Sequence, residues 1–168
     1  MVNFKRYVRH LFMPPWARRR AFPQATLDAI EAAVHASETT HGGEIRFAIE
    51  NCLPGILAWR GMSGRERAIE MFSNLRVWDT EDNSGVLIYL LLADHDIEIV
   101  ADRGIAARVD PAAWEAVAQT MEAAFRQGEF ERGALAGIAQ IGELLAKSFP
   151  PSGLNPDELA NRPVIVRR

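Results

Sequence analysis

The run GVLIYLLLA, residues 85–93, restricts the fold of this chain more than any other stretch. It carries no charge, and its branched and aromatic side chains suit a strand covered on both faces of a sheet. Such a strand needs a layer above, a layer below and paired neighbours on its edges. One neighbour follows at once, because the short turn ADHD leads into IEIVA, residues 97–101, close enough to fold back as an antiparallel hairpin. Another lies upstream in EIRFAIE, where Ile45, Phe47 and Ile49 alternate with Glu44, Arg46 and Glu50 at the two-residue period of a half-buried strand.

The covering layers are written at helical period. Leu27, Ile30, Ala33 and Val34 mark one face of a helix expected from Thr26 to Thr39, stopped by Gly42 and Gly43. Ser63 and Glu66 stand at capping-box spacing before a helix running to about Leu75. Asp110 followed by Pro111 opens a third, whose buried face is Trp114, Val117, Met121 and Phe125 and whose stop is Gly128. A fourth, from about Glu131 to Ser148, buries Leu135, Ile138, Ile141, Leu144 and Leu145. Helices before, between and after the strands predict an α/β fold, a three-layer α/β/α sandwich around a central mixed sheet with a hairpin. Three parts are expected: a basic amphipathic arm over 1–22, the domain over 23–150, and a flexible tail over 151–168.

Charge divides the same way. Residues 1–22 carry Lys5, Arg6, Arg9, Arg18, Arg19 and Arg20 and no acid, and Arg162, Arg167 and Arg168 close the chain, leaving 10 of the 19 basic residues against all 22 acids. An acidic body with basic ends favours cations and basic partners over nucleic acid, and none of the latter is expected. In the arm, Phe4, Tyr7, Val8, Leu11 and Phe12 fall on one helical side with Lys5, Arg6 and Arg9 on the other. That pattern fits a helix lying on an anionic membrane surface, or an arm folded back on its own acidic domain. No apolar run approaches the roughly 18 residues that span a bilayer. The one cysteine, Cys52, has apolar neighbours and reads as an inert core thiol, in keeping with a reducing cytoplasm. The expected location is cytoplasmic or peripheral at the membrane. Trp59 and Trp78 read as packing residues or as flanks of the site, and Arg65 and Arg67 as a solvated helix face.

The stretch DTEDNSG, residues 79–85, concentrates oxygen ligands in front of the apolar strand. It is not an EF-hand loop: Asp79, Glu81 and Asn83 match the first ligand positions, but Ser84 replaces the required glycine and Leu90 the bidentate glutamate. Dinucleotide and P-loop glycine patterns and zinc spacings are absent, which argues against a nucleotide or organic cofactor. A hairpin nevertheless returns the residue leaving its second strand to the end where the first begins. Asp102, Arg103 and Gly104 should therefore meet Asp82 and Asn83, with Asp110 close behind and Asp79 at the margin. Such hard oxygens suit Ca²⁺ or Mg²⁺; spacing alone favours solvated loop carboxylates, with Asp110 simply capping its helix. Arg103 and Arg76 lie beside these loops and suit an anion such as phosphate. No catalytic nucleophile or base can be assigned from the sequence.

EIRFAIE, the segment DNSGVLIYLLLADHDIEIVADRGI and the closing FRQGEFERGALAGI resemble the TPM domain family over about residues 24–148, in its short bacterial branch. Glu44, Asp82, Asn83, Gly85, Asp94, Gly104 and Asp110 stand at that family's motif positions, with Ser84 inserted before Gly85 and ADRG where many relatives have GYG. The resemblance implies an α/β/α sandwich, an acidic cleft that takes divalent cations, and roles in maintaining or modulating membrane complexes. It also implies weak acid phosphatase activity in some members. The function expected is that of an accessory protein with a cation-binding cleft, and the alternative a cation-dependent phosphomonoesterase of low activity.

Overall fold

A computed structural model describes residues 3–151 and 157–167. In chain order the elements are α1 (Phe4–Phe12), α2 (Trp16–Ala21), α3 (Gln24–Glu38), β1 (Glu44–Glu50), α4 (Gly55–Trp59), α5 (Gly64–Asn74), β2 (Gly85–Leu91), β3 (Asp96–Ala101), α6 (Arg103–Ala106), α7 (Pro111–Arg126), α8 (Phe130–Ser148) and β4 (Val164–Val166). A 3₁₀ turn, Leu92–Asp94, joins β2 to β3.

The sheet runs β3-β2-β1-β4, with β2 and β4 parallel to β1 and β3 antiparallel to β2. β2 is buried at every position, as its unbroken apolar run requires. Alternation sorts the side chains into two layers. Ile45, Phe47, Ile49, Val86, Ile88, Leu90, Ile97 and Ile99 face α3, α7 and α8, where Ile30, Val34, Met121, Ile138, Ile141 and Leu145 complete the larger core. Ala48, Leu87, Tyr89, Leu91 and Val100 face the other way, onto Ala58, Ala68, Met71, Val77 and Leu159. The α/β/α sandwich follows from this division.

The expected caps are in place. Ser63 and Glu66 form a reciprocal capping box on α5, and Asp110 accepts from the Ala112 N–H at the start of α7, with Pro111 at its first turn. Two expectations are corrected. Arg67 is not a solvated helix residue: it is 7% exposed, and its Nε and Nη2 donate to Glu50 at 2.9 and 3.0 Å while the Tyr89 hydroxyl donates to the same carboxylate at 2.6 Å. A buried carboxylate has to be paired, and the helix register delivers Arg67 to it. The expectation of a flexible tail does not hold for 164–166, where Val164–Val166 adds to β1 in parallel and Leu159 is buried in the smaller core. The outer edge of β1 carries unpaired backbone groups, and a short β-branched segment satisfies them. Residues 152–156 of that tail, and Arg168, lie outside the described residues.

The arm is helical and folded back. Tyr7 meets Trp59 edge to face at 5.2 Å between ring centres, and His10 is fully buried. The Leu53 N–H donates to His10 Nδ1 at 3.0 Å, so Nε2 carries the ring proton and points it at Asp94 Oδ2, 3.1 Å away. Arg6 and Arg9 close on the same carboxylate. Phe4, Leu11, Phe12 and Trp16 remain exposed.

Candidate functional site

The site is built where β1 and β2 begin. Gly85 opens β2, and a side chain there would collide with the Val77 carbonyl that closes the end of the α5–β2 connection. The turn before it is held from inside: buried Thr80 accepts the Asn83 N–H at its carbonyl (3.3 Å) and the Ser84 N–H at its hydroxyl (2.9 Å). Asn83 takes a left-handed conformation, φ 51°, which its short amide tolerates better than most side chains. The Glu81 N–H donates to Glu158, tying the turn to the C-terminal segment.

The hairpin brings the second loop against this turn. The Asp102 N–H donates to the Gly85 carbonyl at 2.8 Å, continuing the β2–β3 ladder by one pair. The Gly104 N–H donates to the Asn83 carbonyl at 3.1 Å, and a Cβ on Gly104 would lie 2.7 Å from the carbonyl oxygens of both Asp82 and Asn83. Only a glycine permits that approach. Arg103 Nη2 donates to Asn83 Oδ1 at 3.4 Å. Asp102 is 6% exposed; its Oδ1 accepts the Arg103 N–H at 2.7 Å, while its Oδ2 is buried with no hydrogen-bond partner among the described residues.

Asp82, Asn83, Asp102, Arg103 and Gly104 are therefore brought together as the hairpin requires. Asp110 is exposed, with one carboxylate oxygen accepting from Ala112 of its own helix at 2.9 Å. Asp79 and Arg76 are exposed on the connection ahead of the turn, Arg76 at φ 52°. Asp94 lies at the opposite end of the hairpin, where it anchors the arm. Burial raises its carboxyl, but the hydrogen bonds from His10 and Arg6 outweigh that and hold it well below its ordinary value.

Glu44 opens β1 directly across from Gly85. In sheet order Asp102, Gly85 and Glu44 form one row, so Glu44 and Asp102 stand two strand spacings apart, roughly 10 Å. One carboxylate oxygen of Glu44 accepts from Leu159 N–H at 3.1 Å, and the other is buried without a partner among the described residues. Beside it the structure assembles a group that the sequence reading did not anticipate: ligand oxygens of Glu38, Glu44 and Asp157 lie within 4.8 Å of one another. Burial pushes the Glu38 carboxyl up to about 8, against the Ile45 N–H that it accepts, and the Glu44 and Asp157 charges add to the rise. Burial likewise pushes Glu44 up to about 7, with Asp157 and Glu158 adding to it. Glu38 ends a helix and Asp157 lies in a polar tail, so neither sits in a motif. The signal was the five-residue link from α3 to β1, too short to keep Glu38 away from the mouth of β1.

This end of the sheet thus offers two groups of hard oxygens, one on the facing loops and one around Glu44. The orphaned Asp102 Oδ2 is the kind of acceptor that a divalent cation satisfies, and the carbonyls and carboxylate of the 80–85 turn are the oxygen donors Ca²⁺ and Mg²⁺ prefer.

Comparison with known proteins agrees with the architecture. The family model described as TPM domain matches residues 18–144. A solved structure, the NMR structure of BA42 protein from the psychrophilic bacterium Bizionia argentinensis, is similar at 31% identity, covering 84% of this chain and 93% of that one with a TM-score of 0.75. No curated protein matches the chain.

Proposed function

Because the chain belongs to the TPM domain family, we propose that it is an accessory binding protein whose facing loops, 80–85 and 102–104, take a divalent cation and present it to a membrane-associated partner. The observation that carries this reading is the buried, unpartnered Oδ2 of Asp102 beside a turn whose carbonyls crowd Gly104. Leaving a carboxylate oxygen buried and unsatisfied costs about 1–3 kcal/mol, and a bound cation removes that cost. Asp102 and Asp82 supply charge, Asn83 an amide oxygen, and Arg103 limits the net negative charge.

Binding is favoured over hydrolysis by the surroundings. The hydroxyls nearest the loops, Thr80 and Ser84, are 8% and 1% exposed, so neither is open to a substrate as a nucleophile. Association with a membrane surface is supported by Phe4, Leu11, Phe12 and Trp16, which stay exposed on a basic arm. Among the described residues, no helix is long and apolar enough to cross a membrane.

The test is thermal. Ca²⁺ or Mg²⁺ binding only the folded state should raise Tm with the logarithm of its concentration above saturation. Asp102→Asn, which keeps the oxygen that receives the Arg103 N–H, should abolish the rise. Unchanged melting of the native chain at millimolar Ca²⁺, Mg²⁺ and Mn²⁺ would remove the reading, and chelator-sensitive hydrolysis of an aryl phosphate would put the phosphomonoesterase in its place.

A further inference from the structure

The cation reading concerns the end where the parallel strands start; the other end of the same sheet has its own chemistry. β1 lies between two parallel partners, β2 and β4. The link from β1 to β2 carries α4 and α5 over the smaller core, whereas α7 and α8, which precede β4, lie over the larger one. The carboxyl ends of β1 and β4 lie side by side, and ligands of open α/β sheets bind beyond the carboxyl ends of their strands.

In this protein the space beyond those ends is a cavity of about 710 Å³, within the range of small-molecule sites. Asn51 and Cys52 at the end of β1 and Arg167 at the end of β4 form its floor, and α2 closes it with Trp16, Arg18 and Arg19. Among the described residues no carboxylate lines it. Several arginines elsewhere meet acids, Arg6 and Arg9 on Asp94, Arg65 on Glu98, Arg67 on Glu50, Arg126 on Glu122 and Arg162 on Glu31, whereas Arg20, Arg46, Arg60, Arg76, Arg103 and Arg108 form no such pair among the described residues. Arg18, Arg19 and Arg167 have no such partner among the described residues, although acids outnumber bases in the chain by 22 to 19. Burial lowers the pKa of Arg18, and the neighbouring charges of Arg19 and Arg167 lower it further. Three guanidinium groups are thus gathered on one cavity, with no carboxylate partner among the described residues, next to the indole of Trp16 and the side chain of Ile165.

We propose that this cavity binds a phosphate ester, its phosphate held by Arg18, Arg19 and Arg167 and its organic part lying against Trp16 and Ile165. Guanidinium groups match phosphate oxygens bidentately, and a dianion would relieve the mutual repulsion of the three. The apolar wall distinguishes this from a site for inorganic anions. The ester can be a free metabolite or the headgroup of an anionic lipid, since both present the same group to the arginines. The site is independent of the cation reading, because it lies at the opposite end of β1.

Calorimetric titration of the full chain with phenyl phosphate, phenol and sulfate tests it, alongside co-sedimentation with phosphatidylglycerol vesicles at low and high salt. Saturable binding of phenyl phosphate, absent with phenol and much weaker with sulfate, is expected. Arg18→Gln and Arg19→Gln should each weaken it about tenfold, the loss of one charge-assisted contact. Asp102→Asn should leave it unchanged, which separates failure here from failure of the cation site. Vesicle binding lost in the same arginine variants, with no binding of phenyl phosphate, assigns the site to a lipid headgroup. Failure of the native chain to bind either probe, or binding that the arginine variants leave intact, would overturn the proposal. Equal binding of sulfate and phenyl phosphate would mean an unspecific basic surface and would overturn it too.

Discussion

A carboxyl group with a raised pKa makes a protein's stability depend on pH, and Glu38 and Glu44 are two whose oxygens lie within 4.8 Å of each other. Their folded-state values, about 8 and about 7, stand above the ordinary glutamate value of 4.5. The folded state therefore binds more protons than the unfolded one between these limits. The stabilising contribution of the protonated forms is complete below about pH 4.5 and declines as pH rises through 7 and 8. Glu38→Gln keeps an acceptor for the Ile45 N–H and removes the charge. Melting in the presence of chelator should show little difference between variant and native chain at pH 5 and a higher Tm for the variant at pH 8.5, by about 2–4 °C per kcal/mol relieved. A difference that does not change with pH would contradict the pairing. At this scale the sequence was partly legible. Glycines at 85 and 104 marked the two loops because close backbone approach excludes a Cβ, but nothing in the sequence local to Glu38 or Asp157 reports a neighbour that only the fold supplies.

Among the elements, α1 shows how a periodic segment is legible while its docking is not. The helical spacing of the arm was evident, but a basic amphipathic helix is equally suited to a membrane and to an acidic surface of its own domain. In the structure Asp94 holds the helix to the domain, gathering Arg6, Arg9 and His10 at the 3₁₀ turn, while Phe4, Leu11 and Phe12 stay exposed. Asp94→Asn should cost about 1.5–3 kcal/mol, the range for hydrogen bonds to charged groups, and should speed hydrogen exchange in α1 before the rest of the chain. Because the Asp94 pKa is depressed on folding, this contribution is present above the ordinary aspartate value of 3.8 and is lost as pH falls below it. Exchange in α1 that is insensitive to the substitution would refute the anchor. β4 was missed for another reason: three residues, Val164–Val166, are too few to display a period, and only the open edge of β1 calls for them. The long helices and the hairpin were legible because each repeats its pattern over many residues.

For the whole molecule, the order β3-β2-β1-β4 sets two ends apart. Hairpin return places Asp102 beside Gly85 where the parallel strands begin, which could be argued from sequence, since an antiparallel turn returns the chain to its starting edge. The arginine-lined crevice at the other end could not, because it joins the arm, the end of β1 and the last strand, segments far apart in the chain. Of the residues expected around a cation, Asp82, Asn83 and Asp102 converge, while Asp110 caps α7 and Asp79 lies out on the connection. Whether the facing loops hold a cation is tested most directly by a crystal soaked in Mn²⁺. An anomalous peak is expected at ligand distance from Asp102 Oδ2, with oxygens of the 82–83 turn completing the shell. A peak seated instead among Glu38, Glu44 and Asp157, or no peak at millimolar Mn²⁺, would contradict it.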